Sequence, residues 1–249
     1  MLERGEALPS NLAKHWEKLY QPLPSSVLAP LERFLAEVRA LEGEQGAIFL
    51  GPVQITDHGS FGRKASIQIE ANATFMGADV AASTRLLEQL CDRLRAVPRF
   101  TVPEVRTSNR GMAWLGASLQ VEIEVDLAEA PRRTAAAPLF VPEPGTALVP
   151  RINTDASAAG IALRAVAPSK LPGATGWEFV LCELLQDKGS ARPLDEELAW
   201  LRTLEDLGRL TAVNRVSLER LPTPPGGPEA VGMDGPWYAS VALCVQQEP

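Results

Sequence analysis

Histidine is nearly missing from this chain: of 249 residues only His15 and His58 carry an imidazole. A Ser-His-Asp or Cys-His pair would have to draw on one of these two, and neither sits in a supporting motif, so both read as surface histidines. Cysteine is scarce as well. Cys91, Cys182 and Cys244 are odd in number and far apart, which excludes a closely spaced redox or zinc pair and leaves free thiols among apolar neighbours. The chain has no H-E-x-x-H and no acidic series with calcium-loop spacing. No metal, no cofactor and no catalytic residue is therefore expected, and the chain reads as a non-enzyme.

Positive charge is also in short supply. There are 24 Lys and Arg against 31 Asp and Glu, a net charge of -7, and the deficit is spread evenly along the chain. That excludes specific nucleic-acid binding built on phosphate neutralisation, while leaving room for a passage through which DNA slides. No apolar run approaches the roughly 18 residues of a membrane span, so no membrane partner is expected. The start, Met1 to Glu6, is too polar for a signal peptide, and the expected location is the cytoplasm or something assembled there.

What is present is patterning. With 45% hydrophobic residues the chain can supply a core for one large or two ordinary domains. Residues 1–24 read as an N-terminal arm with a short helix carrying Leu12, Trp16, Leu19 and Tyr20. Ser25 or Ser26 can cap a second helix whose stripe is Leu28, Leu31, Phe34, Leu35, Val38 and Leu41, with Glu32, Arg33, Glu37 and Arg39 outward. A hairpin follows, from Ala47 through Ile55, a turn at Asp57–Gly62, and the alternating Ala65, Ile67, Ile69 and Ala71. Gly77-Ala78-Asp79 opens a long helix with Val80, Leu87, Leu90, Cys91 and Leu94 inward. After the turn Ser108–Gly111, which contains Arg110, Leu115 to Leu127 alternates so cleanly that it predicts a strand long enough to project and pair with a neighbour.

The proline-rich segment 128–155 predicts an extended linker, and its apolar Leu139-Phe140-Val141 predicts that it docks on something. Residues 156–249 then repeat the plan. Ile161, Leu163 and Ala165 give a strand, and Phe179 to Leu184 another. Leu194, Leu198, Leu201 and Leu204 give a helix whose Asp195-Glu196-Glu197 complements the N-terminal dipole; Val213–Leu221 and Trp237–Val245 give a closing strand pair. The expected fold is α+β, two tandem β-β-α-β-β modules at 25–127 and 156–249. Each would have a mostly antiparallel or mixed sheet and a helix packed on one face.

The helix Leu28 to Leu41, the run Gly62-Arg63-Lys64-Ala65-Ser66-Ile67-Gln68-Ile69-Glu70-Ala71, the helix Ala78 to Leu94 and the strand Ala113 to Asp126 together resemble the tail-terminator and related tail-completion proteins of bacteriophages. The resemblance implies a structural subunit of a phage tail or phage-derived contractile injection device. Its partners would be copies of itself and other tail or neck proteins, and its place the virion. Trp16, Tyr20, Arg110, Trp114 and Phe140 are the candidate interface residues, being large or charged side chains at arm, turn and linker positions. The rival expectation is a cytosolic nucleotide- or small-molecule-binding protein or enzyme using the turn Gly59–Lys64, although that turn joins two strands instead of opening a helix.

Overall fold

The computed structural model describes residues 26–42, 46–57, 66–109, 111–124, 145–170, 179–205, 211–221 and 235–246. Along the chain run α1 (Leu28–Leu41), β1 (Ala47–Asp57), β2 (Ser66–Met76), α2 (Val80–Ala96), β3 (Phe100–Asn109) and β4 (Trp114–Glu124). After these come α3 (Gly145–Ala158), β5 (Leu163–Lys170), β6 (Phe179–Gln186), a 3-10 turn at Lys188–Ser190, α4 (Leu194–Glu205), β7 (Thr211–Arg220) and β8 (Trp237–Gln246). The class is α+β. All eight strands join one antiparallel sheet in the order β3-β4-β2-β1-β7-β8-β6-β5.

The sheet is continuous because β1 pairs on one side with β2 and on the other with β7, Val53 to Thr56 lying opposite Leu218 to Arg215. Two separate sheets would leave both of these edges with unpaired backbone groups, so their union satisfies them. One face of the sheet is buried by alternation. Ile67, Ile69, Ala71, Ala73 and Phe75 on β2, Leu115, Ala117, Leu119, Val121 and Ile123 on β4, and Trp237, Ala239, Val241 and Leu243 on β8 all belong to a single core shared with the helices. The opposite face carries Gln54, Gln68, Glu70, Asn72, Ser118 and Glu122, as expected of an antiparallel sheet with one face in water.

Local irregularities keep the apolar sets on the buried face. In β1 the buried positions are Ile48 and Leu50, then Val53 and Ile55, a break in the period of two. A register shift between Leu50 and Val53, at Gly51-Pro52, absorbs the odd residue. β3 does the same between Thr101 and Glu104, and β7 between Val213 and Arg215.

The helices follow their stripes. Asp79 caps α2 by accepting from the Ala82 N–H at 2.7 Å, as its position after Gly77 predicts. The Ser26 hydroxyl accepts from the Leu28 N–H at 3.1 Å, and the apolar residues expected inside α1 are all buried. Glu37 departs from the expectation: it is buried, not outward. It lies between Arg33 at 2.7 Å and Arg93 at 3.0 Å, so it joins α1 to α2, and its partners supply the charge that burial requires.

The largest correction concerns the expected linker. Its end is α3, in which Ile152 and Ala156, one turn apart, are buried. Pro150 lies inside this helix and can donate no N–H to its ladder, which is why proline content alone points the wrong way here. The helix ends in a Schellman motif: Gly160 has φ +72°, its N–H reaches the Ser157 carbonyl, and the Ile161 N–H reaches Ala156 at 2.7 Å. Over Trp114–Glu124 β4 is flanked on both sides, by β2 and β3, while residues 125–127, the end expected to project, lie outside the described residues; the outer strands are β3 and β5. Gly160→Ala forces a Cβ into the left-handed region at a cost of about 1 kcal/mol, so thermal unfolding should shift down by a few degrees, while Gly189→Ala, with open space around it and no positive φ, should not.

Candidate functional site: the sheet edges and the central junction

The geometry concentrates interaction surfaces at three places along the sheet. The first is the junction where its two four-stranded halves meet. The β1–β7 ladder spans four residue pairs. Above it α1 rests against both α2 and α4. The Val27 N–H donates to the Val213 carbonyl at 3.0 Å, Arg39 meets Asp195 at 2.6 Å and Arg202 meets Glu32 at 2.5 Å. These ion pairs are solvent-exposed, so they orient the helices more than they stabilise them. Between α1 and α4 lies an open groove of about 600 Å³ lined by Leu35, Ala36 and Leu198 as well as these charges.

The other two places are the margins. Among the described residues β3 and β5 pair on one side only. On β3 the half-buried Val102 and Val105 pack on the core, while Thr101, Glu104, Arg106 and Thr107 are exposed, with Arg106 and Glu104 paired at 2.6 Å. Pro103 and the nearby register shift interrupt this margin, and β5 carries Pro168 and a shift between Leu163 and Ala165. Both devices are typical of edge strands.

A buried polar cluster lies under the second half of the sheet. Gln186, at the end of β6, donates to the Ser190 carbonyl at 2.9 Å and to Glu197 Oε2 at 3.3 Å, and accepts from the Ala239 N–H at 2.7 Å. One amide thus ties β6, the 3-10 turn, α4 and β8 together. Glu197 is fully buried, and Arg192 Nε is 3.9 Å away, too far for a hydrogen bond. Among the described residues, Glu197 Oε1, Arg192 Nε and Trp200 Nε1 have no hydrogen-bond partner. Burial pushes the Glu197 carboxyl up to about 7, against the opposing pull of the Gln186 hydrogen bond and the Arg192 charge. Its spacing from Leu194, Leu198 and Leu201 puts it on the inner stripe of α4, a signal that outweighs its place in an acidic N-terminal turn.

Of the interface residues singled out in the sequence, Trp114 alone is described. It opens β4 on the helix-free face, opposite Met76, and is half-buried with its indole over Gly111, where a Cβ would collide with it. Trp16, Tyr20, Arg110 and Phe140 lie outside the described residues, as do His15, His58 and the turn Gly59–Lys64. Cys91 and Cys182 are buried free thiols whose pKa values burial raises. Among the described residues no three His, Cys, Asp or Glu side chains gather as metal ligands would, and no helix is long and apolar enough to cross a membrane. In comparisons with known proteins, no family model, curated protein or solved structure matches the chain.

The Glu197 environment has a pH signature. The native carboxyl holds its proton up to about 7, whereas the unfolded chain releases it near the ordinary 4.5. Between these values the native state binds more protons, so this group's contribution to stability is full below the lower value and is lost as pH rises through the upper one. Glu197→Gln should remove that slope: its melting temperature should exceed that of the wild type at about pH 8 and approach it at about pH 4. Parallel melting curves at all pH values would contradict the assignment.

Proposed function

We propose that the chain is a non-enzymatic structural subunit made of two fused, tandem copies of one α+β module, and that it works by joining further subunits. The supporting observation is the strand order. Read across the sheet, the first half runs β3-β4-β2-β1 and the second β7-β8-β6-β5, which is the same order displaced by four strands. Spacing supports the correspondence. The interval from Ser66, where β2 starts, to Phe179, where β6 starts, equals the interval from Leu50 to Leu163, where the shifts in β1 and β5 open. β3 and β7 have the same length, and the interval between their starts, Phe100 and Thr211, superimposes Pro103 on Asn214, the residue skipped by the β7 register. α1 and α3, also equal in length, precede the two halves, so the repeating unit is α-β-β-α-β-β, one helix longer than the strand pattern alone implies.

Such a unit exposes two different margins, one at each end, and a body with two unlike joining surfaces builds rings or filaments by head-to-tail contact. Together with the resemblance to phage tail-completion proteins, this makes a tail-terminator or neck ring component of a phage tail, or of a phage-derived contractile injection device, the reading we favour. Its partners are copies of itself and adjoining tail or neck proteins. Purified protein should scatter light as a multiple of the 26.8 kDa chain and should attach to the ends of isolated tail tubes in electron micrographs. A monomer at the highest attainable concentration that also ignores tube ends would overturn this function.

A further inference from the structure

We infer that β5 of one chain pairs with β3 of a second copy in the register of the internal β1–β7 ladder, an inference that rests on reading the halves as tandem copies. Moving Val53–Thr56 forward by the interval from Leu50 to Leu163 gives positions 166–169. Moving Arg215–Leu218 back by the interval from Thr211 to Phe100 gives positions 104–107. The contact therefore sets Val166 opposite Thr107, Ala167 opposite Arg106, Pro168 opposite Val105 and Ser169 opposite Glu104. Strand direction permits it. Every neighbouring pair in the sheet is antiparallel and the strands number eight, so the outermost two run in opposite senses, and laying one against the other adds another antiparallel pair. An odd number would have made that pair parallel.

The parity of faces agrees as well. Val216 of the internal ladder is buried, and its counterpart Val105 is a hydrophobic residue packed on the core yet only half covered. A neighbouring strand beside β3 would finish covering it. The edge irregularities do not stand in the way, because the internal ladder has the same neighbours: the β1 shift at Gly51-Pro52 and the β7 shift at Asn214 flank it. α3 stands before β5 as α1 stands before β1, and α1 packs against α4 across the internal junction, so α3 would meet α2 of the second copy. Pro168 withholds one N–H, which makes the contact between chains weaker than the one within the chain and keeps it separable. The two margins differ, so the contact is heterologous and repeats from copy to copy.

Two single-cysteine variants test this, Ala167→Cys and Arg106→Cys, each built both in a background with the three native cysteines replaced by alanine and in the native background. The margins of one sheet stand about 34 Å apart, seven strand spacings of about 4.8 Å, so no bond can form within a chain. Each variant is checked for wild-type thermal unfolding, then oxidised alone and as a mixture. A reductant-sensitive covalent dimer should appear in the mixture and in neither variant alone, because residues directly opposite each other fall within disulfide reach. Dimer from one variant alone, or assembly by light scattering with no bond in the mixture, would overturn the β5–β3 contact while leaving the structural-subunit reading standing. Protein that stays monomeric throughout would remove both.

Discussion

The four-residue ladder between β1 and β7 is the contact on which the rest of this architecture depends. Without it the chain would be two half-sheets, each with an additional exposed edge, and α1 would lose the second surface on which it rests. With it, one helix-covered core runs beneath eight strands. The ladder is short, and the irregularities on either side of it are what bring it into register: each bulge resets the alternation, so that Val53 and Ile55 on one strand and Val216 and Leu218 on the other all point into the core. A slip of one residue would turn those four side chains to water.

Much of this was legible in the residues and some was not, for physical reasons. Strict alternation over Ile67–Ala71 and Leu115–Ile123 and the helical stripes of α1, α2 and α4 translate directly into buried faces, because burial imposes those periods. The breaks in period at Gly51-Pro52 and Asn214 carry information of equal value that a search for unbroken alternation passes over. α3 was hidden by proline, although Ile152 and Ala156 at helical spacing and Gly160 just beyond them are a helix-and-stop pattern. Glu37 was read as outward and Glu197 as part of an acidic turn that complements a helix dipole, whereas their positions put both on inner stripes. Pairing between distant strands has no local signature, so neither the single sheet nor the identity of its margins could be read from the chain. Trp114 shares the outer-face parity of Ser118 and Glu122, but the cover that its ring finds over Gly111 depends on a turn geometry that spacing does not encode.

The two halves also differ in a way that bears on their roles. Where α2 is fastened by Ser83, a small hydroxyl that accepts from the Gly77 N–H and donates to the Ala113 carbonyl, α4 at the corresponding turn carries Glu197 among Gln186, Arg192 and Trp200. The first arrangement is neutral and closes its own hydrogen bonds. The second buries a carboxyl with one oxygen unpartnered among the described residues, so this site is less well satisfied than its counterpart at Ser83.

Amide hydrogen exchange, followed as a function of protein concentration, tests the central claim most directly. If the internal junction is the template for joining chains, the amides of Val53–Thr56 and Arg215–Leu218 exchange slowly at every concentration, and protection at Glu104–Thr107 and at Val166, Ala167 and Ser169 grows as concentration rises. Margins that keep exchanging at the rate of open strands while the protein assembles would contradict it.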